Sequence, residues 1–315
     1  MYYTQKLAPA LKKWYYSCTK KVLNLENPQT YNEKLQWLKL YNALPMKTKL
    51  ADKYLVRDWI KENIGEEYLV PLLGVYNTFD EIDFNKLPNQ FVIKCNHGSG
   101  YNIIVTNKAE LNLKEAKLKV DKWMNSNFAY SCGFELHYRD IKPKIIIEEY
   151  IDPSKSNNEI QVWCFNNEIK FVSIETNKYA ENLMRGTFYL DGSPTEFEIS
   201  PNHYKKVKKL YNKKAFYKAI ELVKKLNIDT PYVRIDFIEW NDTVKFREIT
   251  FTSGTGLSLI KPIQYNKILG EWIKLPELAY DINTKTYYNP NKLNKKVLST
   301  PYRSPVKRSK DFIHF

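Results

Sequence analysis

Apolar residues recur at helical spacing over the first 65 or so positions and at strand-like spacing over much of the remaining chain. Leu7, Ala10, Leu11, Trp14 and Tyr15 make one stripe of a first helix within residues 1–21, ringed by Lys6, Lys12, Lys13, Lys20 and Lys21. Such a basic amphipathic helix either packs on the rest of the protein or lies on a membrane surface. Thr30 followed by Glu33 predicts a capping box at the start of a helix that carries Leu35, Trp37, Leu38, Leu40 and Tyr41. A third helix is predicted from about Lys49 to Asn63, stopped by Gly65.

From Tyr68 the period changes. Residues 68–76, with Pro71 and Gly74, predict a short strand entering a turn. Phe91–Cys95 and Tyr101–Val105 predict a hairpin around the loop Asn96–Gly100, and a helix comes next over about 113–127. Lys144–Ile151 is an apolar strand leading into a polar loop, Asp152–Asn158. The strands 160–165 and 168–175 flank Asn166-Asn167, a tight-turn pair, and 232–239 and 244–251 flank Asn241-Asp242. A lysine-rich helix is predicted over about 203–227. Strands in pairs, interspersed with helices, predict an α+β fold with mainly antiparallel sheets. The divisions expected are a helical N-terminal region 1–65, one α+β unit 66–150, a second 151–280, and a basic arm 281–315 with Lys285, Lys292, Lys295, Lys296, Arg303, Lys307, Arg308 and Lys310.

Composition narrows the partners. Lys and Arg outnumber Asp and Glu 49 to 35, which suits an anionic partner such as a nucleotide, a nucleic acid, an acidic polysaccharide or an anionic membrane face. Cys18, Cys95, Cys132 and Cys164 are scattered without a Cys-x-x-Cys pair, and the histidines do not cluster, so no zinc site is expected. No run of 18 apolar residues exists and the first segment lacks a cleavage signature, so a cytoplasmic location is expected. The G-x-G-x-x-G and G-x-x-x-x-G-K-[ST] patterns are absent.

Three segments could carry chemistry. Lys94 sits inside the apolar strand Phe91–Cys95, where a charge is costly without an anion, and the next residues, Asn96-His97-Gly98-Ser99-Gly100, include two glycines that let backbone N–H groups approach closely. A phosphate cradle is one reading; a surface lysine before an ordinary turn is the other. His97 in this loop is either a phosphate contact or a solvent-facing side chain. In the pair 232–239 and 244–251, a three-residue turn sets Asp236 opposite Glu248 and Arg234 opposite Thr250, a register that calls for a cation between the acids. An even turn instead sets Asp236 opposite Arg247, an ordinary salt bridge. Third, Ile145–Ile147 run into Glu148-Glu149-Tyr150-Ile151, a strand end that emerges into solvent or offers backbone groups to an adenine ring, with Glu159 beyond it in reach of a ribose.

In that order the segments resemble the TupA-like ATP-grasp family, associated with teichuronopeptide and capsular polysaccharide biosynthesis. The resemblance runs over about 25–275 and rests on Asn27-Pro28-x-Thr30-Tyr31-Asn32-Glu33-Lys34-Leu35-Gln36-Trp37, Ala51-Asp52-Lys53-Tyr54-Leu55-Val56-Arg57, Pro71-Leu72-Leu73-Gly74-Val75-Tyr76, Leu87-Pro88 to Gly100, and Arg247-Glu248-Ile249-Thr250-Phe251-Thr252. It implies an ATP-grasp fold, two α+β subdomains clasping ATP, and an ADP-forming carboxylate–amine ligase that works through an acyl phosphate. It assigns Lys94 and Lys53 to the phosphates and Asn96, His97, Gly98, Ser99 and Gly100 to a loop over them. Glu148, Glu149, Tyr150 and Ile151 become the adenine hinge and Glu159 the ribose contact. Asp236, Glu248 and Thr250 hold Mg²⁺, and Arg234 steadies the transferring phosphoryl group. Two positions depart from the wider pattern: Thr250 stands where an asparagine is common, and Gln161 where a basic residue is expected. Thr252-Ser253-Gly254-Thr255-Gly256 either holds an acceptor carboxylate or forms a plain Gly-rich turn.

The family setting implies a uronic acid such as glucuronate, on a nucleotide sugar or within a glycan, and a small amine as substrates. A glycosyltransferase or sugar kinase of capsule synthesis is the alternative enzyme class, and a non-catalytic basic glycan- or nucleic-acid-binding protein ranks last because no nucleic-acid reader motif is present. Residues 1–21 leave open a peripheral association with membrane-bound capsule machinery.

Overall fold

The computed structural model describes residues 3–131, 133–152, 158–176, 183–200, 205–240 and 242–290. The helical start consists of α1 (Tyr3–Thr19), α2 (Tyr31–Tyr41), α3 (Pro45–Ala51) and α4 (Val56–Asn63). The predicted capping box closes α2, with Thr30 accepting from Glu33 N–H and Glu33 reaching back to Thr30 N–H. Leu7, Leu11 and Tyr15 of α1 are buried against the protein, so its apolar stripe is covered internally. The single helix expected over 49–63 is broken between α3 and α4: the Asp52 carboxylate accepts from Tyr54 and Leu55 N–H, an Asx-type turn that competes with the helix.

A four-stranded antiparallel sheet comes next, β1 (Leu72–Tyr76), β2 (Phe91–Cys95), β3 (Asn102–Val105) and β4 (Ile145–Glu149), in the order β1-β4-β2-β3, backed by α5 (Leu113–Met124). The second sheet is built from β5 (Asn158–Phe165), β6 (Glu168–Thr176), β7 (Met184–Phe188), β9 (Lys205–Lys206), β10 (Tyr232–Trp240) and β11 (Thr243–Thr250), in the order β11-β10-β5-β6-β7-β9. All its pairings are antiparallel except β7 with β9. Asn166 and Asn167 take positive φ between β5 and β6, as a tight hairpin turn requires. The lysine-rich helix is shorter than expected: α6 (Lys213–Leu226) starts at Asn212, which caps Ala215 N–H, and Lys205–Lys206 before it is a strand. The short strands β8 (Glu198–Ile199) and β12 (Ile260–Lys261) pair with each other, and α7 (Tyr265–Glu271) packs on α2.

The faces of the larger sheet differ in chemistry. Ile160, Val162, Val172, Ile174, Val233, Ile235 and Phe237 belong to the core that includes α6. Along the other face the polar Glu159, Gln161, Ser173, Glu175 and Asp236 give way to the aromatic Trp163, Phe165, Phe171 and Tyr232, which share a second core with α1, α2 and α7. The basic arm expected from 281 begins as a hairpin, β13 (Ala279–Asp281) with β14 (Thr286–Tyr288), tied to α1 where Thr4 bonds Asp281 and Tyr288. The remainder of the basic arm lies outside the described residues. Among the described residues no helix is long and apolar enough to cross a membrane.

Candidate active site

On the smaller sheet, Lys94 pairs in register with Ile146 while Val92 pairs with Glu148, which sets Lys94 and Glu148 diagonally on one face. Their side chains form an ion pair. Arg57, from α4, donates to the other Glu148 oxygen at 2.9 Å and to Val70 O at 2.7 Å. The buried carboxylate of Glu148 thus holds two cations in place. The hinge role expected of Glu148 leaves only its backbone for a base, since the side chain is committed to Lys94 and Arg57. Glu149 is exposed, and Tyr150 and Ile151 are half-buried.

The loop after β2 splits into a rigid half and an open half. Asn96 is fully buried and donates to Asp52 Oδ1 and Lys142 O while accepting from Lys144 N–H. His97 is buried with Nδ1 beside Asn96 Oδ1 and Nε2 beside Trp123 O, so its imidazole meets neither solvent nor the cleft. Burial pushes the His97 pKa down. Neither expectation for His97 survives: the ring is a structural clamp. Gly98 is pressed against the Tyr101 ring, where a Cβ would come within 2.7 Å of it, and Gly100 has φ +74°; Ser99 and Gly100 are exposed.

The pair β10–β11 settles its register by an irregularity. Next to the turn, Trp240 pairs with Thr243 and Glu239 with Val244, the even register. A β-bulge at Arg247 then inserts one residue, so that Asp236 faces Glu248 and Arg234 faces Thr250. Arg247, displaced by the bulge, reaches Glu159 at 3.2 Å instead of Asp236. Glu159 is buried beside it, on the cleft face next to Gln161, which is itself held by Ser173 at 2.8 Å.

Arg234 grips Asp236 with two bonds, 2.7 and 2.5 Å, lies 4.0 Å from Glu248, and stacks over Trp163 at 5.5 Å. Burial pushes the Asp236 carboxyl up to about 6 against the pull of Arg234. Burial acts on Glu248 too, but Lys53, Arg234 and Arg247 together outweigh it and hold that carboxyl down at about 2. Lys53 is the link between the two sheets. The helix break at Asp52 points its ammonium both at Gly98 O, 2.9 Å away, and at Glu248 Oε2, 3.4 Å away.

Past β11, Thr252–Gly256 is held by side chains from several elements. Gly254, Thr255 and Gly256 all take positive φ, with Thr255 at +49°, a conformation a threonine adopts only when its surroundings impose it. Gln36 donates to Thr255 O and Gly256 O, Lys39 donates to Thr255 O and Oγ1, Tyr232 donates to Ser253 Oγ, and Thr252 donates to Glu135 Oε2 at 2.7 Å. The loop is an ordered element, and α2 supplies the side chains that shape it.

Asp236, Glu248 and Thr250 are oxygen donors only, and Thr250 Oγ1 donates to Glu248 at 3.3 Å. Among the described residues no three His, Cys, Asp or Glu side chains cluster as a cage. Two carboxylates without a cage fit Mg²⁺, which keeps much of its shell for phosphates and water. Sequence reasoning missed Arg57, Lys39, Glu135 and Tyr138 as members of this region. Arg57 stood inside a resemblance segment without a role, and Glu135 and Tyr138 fall in the aperiodic stretch 128–143, where no local pattern marks them.

The family model for TupA-like ATPgrasp matches residues 33–274. No curated protein matches the chain. Among solved structures the chain is similar to D-alanine–D-alanine ligase from Bacillus anthracis complexed with ATP, at 15% identity and TM-score 0.41, over 71% of this chain and 61% of that one. It is also similar to L-amino acid ligase from Bacillus licheniformis, at 16% and 0.45, over 72% and 50%, and to D-alanine–D-alanine ligase from Helicobacter pylori, at 16% and 0.41, over 81% and 66%. The chain spans half to two thirds of the length of these structures.

Proposed function

The chain belongs to the TupA-like ATP-grasp family, and from that membership we propose an ATP- and Mg²⁺-dependent ligase that joins a carboxylate to an amine, releasing ADP and phosphate. The carboxylate is a uronic acid such as glucuronate, on a capsular or cell-wall glycan or its nucleotide-sugar precursor. The observation that carries the reading is the bulge at Arg247, which sets Asp236 against Glu248 beside two basic side chains, Arg234 and Lys53. Like charges directly opposite are unfavourable unless cations lie among them.

The residues divide the work by charge. Lys94 and Arg57, oriented by Glu148, favour an anion over the smaller sheet, and Lys53 spans from the Gly98 loop to Glu248. Asp236 and Glu248 would hold the metal, which supplies charge neutralisation at the triphosphate. Arg234 stands where a transferring phosphoryl group needs positive charge. A free carboxylate resists an amine, whereas an acyl phosphate carries a good leaving group, so transfer of the γ-phosphate makes amide formation feasible. An acidic sugar and a small amine are the partners this chemistry requires, and the excess of basic residues suits the former.

The test is ADP release, measured by mass spectrometry, with Mg²⁺-ATP, glucuronate or a nucleotide-linked glucuronate, and a pool of small amines. Wild type should form ADP only when carboxylate and amine are both present, and the product mass names the amine. Asp236→Asn combined with Glu248→Gln should abolish it. Transfer of a sugar without ADP formation would replace this reading with a glycosyltransferase, and ADP formed with the sugar alone, yielding a phosphosugar, with a kinase.

A further inference from the structure

Glu248, Asp236, Gln161 and Ser173 stand in one row across the larger sheet, each opposite the next on a neighbouring strand. Opposed residues project to the same face, so Gln161 is the first neighbour of Asp236 on the side away from Glu248, about 5 Å along the row. A ligand oxygen held at the Asp236–Glu248 pair therefore lies beside the Gln161 side chain.

A relay sets how that side chain is turned. The Trp163 indole N–H can only donate, and it donates to Ser173 Oγ at 2.8 Å; Ser173 in turn donates to Gln161 Oε1 at 2.8 Å. All three residues are buried, at 1%, 0% and 2% exposure. Reversing the amide would leave the Ser173 proton without an acceptor among the described residues, so Oε1 faces into the relay and Nε2 away from it. Nε2 makes no hydrogen bond among the described residues, not even to Asp236 one strand away, and it is not sealed from solvent. The same indole carries Arg234 over its ring at 5.5 Å, so one buried side chain orients both a cation and a neutral donor around Asp236.

The charges around this row nearly cancel. Lys94 and Arg57 share Glu148, Arg247 meets Glu159, and Arg234 and Lys53 are set against Asp236 and Glu248. A single positive charge is left over, against the several negative charges of a triphosphate. A basic side chain at position 161 would add another; Gln161 adds two N–H donors and no charge.

We propose that Gln161 binds the nucleotide's phosphate through hydrogen bonds without charge, and that nucleotide binding by this chain is for that reason conditional on a divalent cation. The inference rests on the ligase reading for the identity of the ligand and deepens it by adding a selection at the same site: the nucleotide is accepted as its metal complex and refused without the metal. With a cation between them, phosphate and the Asp236–Glu248 carboxylates are attracted to a common charge; without it they repel, and a carboxamide offsets none of that repulsion. A purely structural Gln161 needs only its Oε1 and predicts no dependence of nucleotide binding on the charge at this position.

Isothermal titration of the full chain with ATP, in Mg²⁺ and in EDTA at one ionic strength, tests both parts, with adenosine as the ligand that lacks phosphates. Wild type should bind ATP about 10²-fold more weakly in EDTA. Gln161→Lys should shrink that ratio to about tenfold or less by strengthening the metal-free complex. Gln161→Leu should weaken ATP in Mg²⁺ by about tenfold or more, the loss of a hydrogen bond to a charged group, and leave adenosine unchanged. Should Gln161→Leu fold poorly, Ser173→Ala keeps the amide but frees it to turn, and ATP in Mg²⁺ should weaken a few-fold with adenosine again unchanged. Unaltered ATP affinity in these two variants, an equal loss of ATP and adenosine, or an EDTA ratio that Gln161→Lys does not move would overturn the assignment and leave the ligase reading standing. If wild type binds ATP under neither condition, the ligase reading fails and this inference with it.

Discussion

In the smaller sheet one carboxylate, Glu148, sits between two cations, Lys94 and Arg57. In the larger sheet one guanidinium, Arg234, sits beside two carboxylates, Asp236 and Glu248. The first cluster is left with a positive charge to spare and the second with a negative one, which Lys53, stretched from the Gly98 loop to Glu248, partly offsets. Opposite surpluses on facing sheets are poor as a stability device, since each buried charge is costly without a full partner. They make sense when a ligand that carries both signs, a polyphosphate with its metal, completes both at once. The two sheets are therefore not two copies of one charged surface, and under the proposed function the smaller would meet the anion and the larger the cation.

The substitution expected to disturb this charge division most is Asp236→Asn. It removes the negative charge and one of the two acceptors for Arg234, and leaves a largely buried guanidinium with its nearest carboxylate, Glu248, at 4.0 Å. Removing one member of a buried ion pair costs about 3–5 kcal/mol, so urea unfolding should show a loss of that size. An unchanged midpoint would mean that Arg234 finds another partner and that the larger cluster is less tightly charge-matched than the geometry indicates.

Glu148→Gln does the reverse to the smaller sheet. It raises the positive surplus there, but it frees Lys94 and Arg57 from the carboxylate that aims them. Stability should fall by about 1–3 kcal/mol, the cost of leaving buried charged donors poorly matched. Nucleotide affinity should fall as well, because orientation is lost although charge is gained. Isothermal titration with ATP would decide it: tighter binding in Glu148→Gln would show that surplus charge outweighs positioning.

How far the sequence alone reaches is visible in these same residues. The capping box at Thr30, the Asn-Asn hairpin and the paired strands are local, set by neighbours a few positions apart, and all are present as expected. The register of Asp236 is not local. Counting from the turn leaves the odd and even pairings both open; the strands begin in the even one, and the bulge at Arg247 shifts it after a few residues. No turn-counting argument contains a bulge, because the bulge is stabilised by what Arg247 meets on another strand, Glu159. The break at Asp52 is similar in part: the helical period continues through it, and the local turn at its carboxylate is joined by a bond from Asn96 across 44 positions. Glu135 bonds Thr252 across 117 positions, from a segment with no period at all. Side chains whose partners lie on remote elements leave no local mark.

Lys47 is a buried cation that differs from those of both sheets in having no carboxylate bonded to it. Lys47 is 2% exposed; its ammonium donates to Asn42 Oδ1 at 2.6 Å and lies 5.1 Å from the Phe251 ring centre. Burial pulls its pKa down from 10.5 to about 7. Since the folded value is the lower one, the folded state disfavours the proton. The penalty is complete below about pH 7, shrinks as pH rises toward 10.5, and is absent above it. Lys47→Met removes the charge and keeps most of the volume, at the loss of the Asn42 bond. It should therefore stabilise the protein by about 1–2 kcal/mol near pH 6, where the relief of charge burial exceeds the roughly 1 kcal/mol of a lost hydrogen bond. The gain should fade, and the sign reverse, as pH approaches 10. Melting temperatures of wild type and variant across that range would show it. A constant difference would mean that Lys47 is charged equally in the folded and unfolded chain, and that a lone cation in this protein tolerates burial without the matched partners that Lys94 and Arg234 have.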